Sequence, residues 1–176
     1  MPELSFAIES AAPLDRFEPP AIGFRLRVVE SARELTPICS VGLRAQVRIQ
    51  PARRQYSGAE QTKLLDLFGT PDRWGKTVRD LLWAHVDIAI PPFTGETTVE
   101  LRVPCVRDST QAAFRYCAAL DNGDVPLIFL FSGTVFYEAT DIGTQVCLLP
   151  WDREARYRLP VALWKGLFAL AEGAVL

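Results

Sequence analysis

Gly23-Phe24-Arg25-Leu26-Arg27-Val28-Val29 is the stretch whose reading decides the fold. Phe24, Leu26 and Val28 fall on one side of an extended chain, and Arg25 and Arg27 fall on the other. Successive side chains of a strand point to opposite sides, so this period of two marks a strand with one buried face. The segment 43–50 repeats the pattern, with Leu43, Ala45, Val47 and Ile49 set against Arg44, Gln46, Arg48 and Gln50. The connection from Glu30 to Pro37 suits a hairpin loop of moderate length, which predicts the two strands as neighbours.

Working outward, Ser5 to Ile8 reads as a short edge strand and Pro13 to Pro20 as a loop or extended arm. Val86, Ile88 and Ile90 alternate with His85, Asp87 and Ala89, and Val99, Leu101 and Val103 alternate with Glu100 and Arg102. Val125 to Tyr137 is long and apolar, as a central strand covered on both faces would be, and Gln145 to Leu149 is a further strand. Asp121-Asn122-Gly123-Asp124 carries the strongest hairpin signal, because Asn-Gly accepts the positive φ angles of a type I′ turn. Residues 110–120 admit two readings. Ala113, Cys117 and Leu120 have helical spacing, whereas Phe114, Tyr116 and Ala118 alternate.

Helices interrupt the strands twice. Ser57-Gly58-Ala59-Glu60 fits a capping box, Leu64, Leu65, Leu67 and Phe68 supply an apolar stripe, and Gly69 is a natural stop. Thr70-Pro71-Asp72 opens a second short helix that carries Trp74 and runs towards Leu82. Pro160 opens the last helix, whose stripe is Val161, Trp164, Phe168 and Ala171, with Leu163, Leu167 and Leu170 beside it. So apolar a helix docks on the sheet or forms an oligomer or partner interface. The expected fold is mainly β (α+β): an antiparallel β-sandwich with a helical insert at about 57–82 and a C-terminal helix. The alternative is an open antiparallel sheet covered on one face by helices. Residues 1–176 read as a single domain, with 1–20 as an extended arm or edge strand.

The composition narrows function mainly by exclusion. Of 176 residues, 49% are hydrophobic and 23% charged, which excludes disorder, collagen-like repeats and coiled coils. No apolar run approaches the roughly 20 residues that span a bilayer. Met1-Pro2-Glu3 does not begin a secretory signal, so the expected location is cytoplasmic. A net charge of −2 argues against nonspecific nucleic-acid binding. Cys39, Cys105, Cys117 and Cys147 are widely spaced and mostly stand among apolar neighbours, so they read as buried reduced thiols, with neither disulfides nor metal expected. His85 is the only histidine and has no nucleophile elbow to serve. Neither glycine-rich nucleotide-binding pattern occurs, so no cofactor is expected. Asp121 and Asp124 read as turn residues, without the further ligands of a calcium loop.

One feature survives. Sixteen of the nineteen basic residues are Arg. If 24–29 and 43–49 are neighbours, Arg25, Arg27, Arg44 and Arg48 share one sheet face, with Arg53 and Arg54 just beyond. That face is either solvated and laced with ion pairs or a docking surface for an acidic partner. Trp74 and Trp83 are the further candidates for partner binding. No catalytic residue emerges, although an enzyme built on carboxylates or His85, or a small-molecule carrier inside the sandwich, remains an alternative.

Four longer motifs go together: Gln46-Val47-Arg48-Ile49-Gln50-Pro51; Asp66-Leu67-Phe68-Gly69-Thr70-Pro71-Asp72-Arg73-Trp74; Val125 to Phe136; and Pro150-Trp151-Asp152 through Val161. They resemble an uncharacterised bacterial family, domain of unknown function 6084, from about Phe24 to Trp164. Such genes are associated with clusters for oxygen-tolerant nickel–iron uptake hydrogenases. The resemblance implies a noncatalytic accessory role in hydrogenase assembly, maturation or stability, with hydrogenase subunits or maturation factors as protein partners. It carries over no catalytic residue.

Overall fold

The computed structural model describes residues 1–173 apart from Arg33 and Ser109, and side chains as far as Phe168. The described residues form seven strands: β1 (Leu4–Leu14), β2 (Ala21–Glu30), β3 (Ile38–Ile49), β4 (Leu81–Ile90), β5 (Glu96–Pro104), β6 (Asp124–Ala139) and β7 (Gly143–Pro160). They form two antiparallel sheets, of order β1-β2-β5 and β4-β3-β6-β7. The helices are α1 (Gly58–Lys63), α2 (Leu65–Phe68), α3 (Trp74–Thr77), α4 (Ala112–Ala119) and α5 (Val161–Gly173).

The two sheets face each other across one core, as the mainly β sandwich reading expects. Phe24, Leu26 and Val28 of β2 and Leu43, Ala45 and Val47 of β3 are buried in it. Aromatic rings bridge the sheets: Phe6 stacks on Phe131 at 4.5 Å, and Phe24 meets Phe129 edge-on at 5.0 Å. Such pairs add about 0.5–1.5 kcal/mol each beyond the area they bury.

β2 and β3 are not neighbours, which corrects the hairpin expected between them. The chain crosses from one sheet to the other between Glu30 and Ile38. Alternation records that a strand has one buried face, but facing strands of two sheets bury theirs just as adjacent strands do. Arg25 and Arg27 therefore point outward from the three-stranded sheet, and Arg44 and Arg48 from the four-stranded one.

Other boundaries move as well. β1 continues through Pro13 as an edge strand, where a proline removes no needed donor. The helical insert ends at Thr77, and Leu81 and Leu82 already belong to β4. Residues 112–119 are helical, with Ala113, Tyr116 and Cys117 buried. The Asn122-Gly123 turn joins α4 to β6 and not two strands, although Gly123 does take the positive φ of 78°. β7 is an 18-residue strand reaching Pro160, far beyond Leu149. α5 buries Val161, Trp164 and Leu167, and Trp164 and Phe168 pack on Phe114 of α4. Its described stripe is thus satisfied within the chain, while the side chains of Leu170 and Ala171 lie outside the described residues. No helix of the described residues is long and apolar enough to cross a membrane.

Candidate docking face

The outward face of the four-stranded sheet is built row by row from the strand register. One row runs Ala89, Gly42, Thr134, Leu148, and the next sets Ser40 beside Phe136 and Val146. Farther along, Arg44 sits between Asp87 and Ser132, and the next row runs His85, Gln46, Leu130, Glu154. The far end carries Leu82, Arg48, Ile128 and Arg156, then Pro126 beside Arg158. From Thr134 to Ile128 the face spans about 20 Å, at the usual strand rise of about 3.3 Å per residue.

Its two ends differ in chemistry. At one end Phe136, Val146 and Leu148 are 37%, 57% and 75% exposed. Phe136 lies directly opposite Val146, and Leu148 follows two residues on, so the three form one patch. Small neighbours, Gly42, Ser40 and Thr134, leave that patch uncovered. Exposed Ile142 in the adjoining turn and exposed Trp151 in the β7 bulge add apolar surface nearby. At the other end Arg53, Arg156 and Arg158 line a groove of about 340 Å³ with Gln50, Pro126, Leu127 and Tyr157.

The arginines expected on one face are dispersed. Arg25 pairs with Glu9 at 3.4 Å, and Arg27 donates its Nε to Glu96 at 3.0 Å, both outside the three-stranded sheet. Arg44 grips Asp87 through two hydrogen bonds of 2.9 and 3.3 Å. That hydrogen bond, more than the charge itself, holds the Asp87 carboxyl below its ordinary range. Arg48 donates to Gln46 Oε1 at 2.7 Å. His85 is exposed in the same strand as Asp87, and no group of three or more metal-ligating side chains exists among the described residues.

Arg54 is an internal clamp and does not face solvent. Its side chain is 9% exposed, and Nη2 lies 2.9 Å from Glu60 Oε2. Its Nη1 donates to the carbonyls of Asn122 and Asp124 at 2.9 and 3.0 Å. Glu60 is the N3 residue of the expected capping box, and its carboxylate also accepts from the backbone N–H of Ser57 and of Asp121. Burial pushes this carboxyl up, but the two backbone hydrogen bonds and the Arg54 charge outweigh it, leaving Glu60 below the usual carboxylate range. The insert is thereby fastened to the turn before β6.

Trp74 and Trp83 separate too. Trp74 donates Nε1 to the Gly69 carbonyl at 2.9 Å and meets Tyr56 edge-on at 5.4 Å. With Pro51, Tyr56, Gln61 and Val78 it lines a surface pocket of about 460 Å³ beside Arg54. Tyr56 Oη donates to the Pro51 carbonyl at 2.6 Å and accepts from Tyr116 Oη at 2.6 Å, and burial pushes its phenol up to about 12. Trp83 is the extra residue where β4 slips register against β3, half-buried against the core.

Arg156, Arg158 and the apolar trio escaped the sequence reading. The signal was present: Ala155, Tyr157 and Leu159 alternate with Glu154, Arg156 and Arg158. Pro150 and the charges that follow it hide that period. No curated protein and no solved structure matches the chain. The profile of a family of unknown function, DUF6084, matches residues 1–173, nearly the whole sequence. The chain belongs to that family.

Proposed function

We propose that this chain is a noncatalytic accessory domain that docks a protein partner on the outward face of its four-stranded sheet. The observation that carries this reading is the contiguous exposed patch of Phe136, Val146 and Leu148. Apolar side chains on a flat sheet face gain nothing from water, and contiguous exposed patches mark interaction sites more often than scattered residues do. The partner is a nickel–iron uptake hydrogenase subunit or one of its maturation factors. Support for that choice comes from the gene clusters associated with the family the sequence resembles. The docking role and the hydrogenase partner are separable claims.

The test is affinity purification from the native host under hydrogenase-inducing conditions, with mass spectrometry. Wild-type protein recovers hydrogenase subunits or maturation factors. Phe136→Ser with Leu148→Ser loses them while keeping the wild-type circular dichroism spectrum, because Leu148 is largely exposed and Phe136 lies outside the buried core. Capture unchanged by this pair of substitutions contradicts the docking face. Capture of none of these proteins contradicts the hydrogenase assignment.

A further inference from the structure

The basic end of the same face differs from the outward-facing arginines that sit in ion pairs. Arg25, Arg27, Arg44 and Arg102 each have a carboxylate of this chain, namely Glu9, Glu96, Asp87 and Glu100. Arg53 and Arg158 have none among the described residues. Arg158 Nη2 instead donates to the Arg53 carbonyl at 3.1 Å, which holds the side chain in place without neutralising it. Among the described residues Arg156 has only Glu154, at 3.8 Å, with both side chains about half exposed. A pair so long and so solvated is worth little. Three arginines thus line a groove of about 340 Å³ against a single weakly held carboxylate among the described residues.

We infer that the Arg53–Arg156–Arg158 groove binds an extended acidic segment of the docked partner, with carboxylates at alternate positions. Two observations select this ligand. Arg156 and Arg158 are two residues apart on one face of β7, about 7 Å along the strand. Side chains at i and i+2 of an extended peptide repeat at the same spacing, so two carboxylates meet two guanidiniums in register. Arg also presents a planar fork that matches a carboxylate bidentately, and Arg158 is oriented in advance by its bond to the Arg53 carbonyl. The groove lies about 20 Å from the apolar patch along the same face. A partner strand therefore carries apolar anchors at one end and acidic residues at the other. The inference rests on the docking face proposed above and assigns the chemistry of its second end.

Two fluorescein-labelled octapeptides test it by anisotropy with the full chain at low salt. One alternates Glu and Ser, and the other has four Glu followed by four Ser, so composition and charge are equal. The alternating peptide binds about fivefold more tightly, and Arg53→Gln with Arg158→Gln weakens it about tenfold without lowering the melting temperature. Arg158→Lys keeps the charge but loses the fork, and recovers only part of that binding. Equal affinity for the two peptides overturns the inference, as does binding indifferent to the double substitution. Saturable binding of inorganic phosphate at the groove with no peptide binding also overturns it, in favour of a free-oxyanion site. Phe136→Ser with Leu148→Ser leaves peptide binding intact, so failure of the peptide and failure of the docking face are read separately.

Discussion

At the scale of single residues, the clamp between Arg54 and Glu60 matters most to the insert. Glu60 is 1% exposed and accepts hydrogen bonds from two backbone amides as well as from Arg54. Glu60→Gln leaves the buried guanidinium without its counter-charge, and the expected loss at pH 7 is about 3–5 kcal/mol by urea unfolding. The pH dependence has a definite sign. Because the folded protein holds this carboxyl below its ordinary value, ionised Glu60 stabilises the fold fully above about pH 4.3. That stabilisation is lost as pH falls through the folded value, so the gap between wild type and Glu60→Gln narrows in acid. A gap that stays constant from pH 7 to pH 3 contradicts the clamp. Tyr56→Phe tests the neighbouring bonds. It strips the hydroxyl that lies between Pro51 and Tyr116, and about 1–3 kcal/mol is expected to go in the same assay.

At the scale of elements, the pairing of β3 with β6 depends on a close approach. A Cβ at Gly133 would stand 2.1 Å from the Gly42 carbonyl oxygen, and that neighbour is backbone in the partner strand. Gly133→Ala must therefore push the two strands apart, and an expected loss of about 3 kcal/mol or more appears in thermal unfolding. Gly42→Ala is the control. Nothing lies within 4 Å of its Cβ, and its effect stays within about 0.5 kcal/mol. Similar effects for the two substitutions contradict the strand register. The elements themselves were largely legible in the sequence. Phe24, Leu26 and Val28, and Leu43, Ala45 and Val47, announce their strands by period, and Ser57 with Glu60 announces a helix start. What could not be read was partnership. The inward residues of β2 and β3 look alike whether the strands sit side by side or face to face, so the supposed common Arg face dissolved into two. Asn122-Gly123 likewise specifies a backbone conformation, and a helix can precede it as well as a strand.

At the scale of the whole molecule, the sandwich presents two outward faces of different character. The arginines of the three-stranded sheet sit in ion pairs within the chain. The four-stranded sheet leaves an apolar patch at one end and under-neutralised arginines at the other. Little of this site was legible in advance. The sequence marks Arg53 but not its company, because β7 reaches it only after Pro150 and a register slip between Phe131 and Gly133. The most direct measurement is quantitative capture of hydrogenase proteins from the native host by three versions of the chain. Strong capture is expected of wild type and of Arg25→Ala, which alters only the three-stranded face. Phe136→Ser with Leu148→Ser is expected to lose about tenfold or more. Undiminished capture by Phe136→Ser with Leu148→Ser would contradict the docking face, whatever Arg25→Ala does.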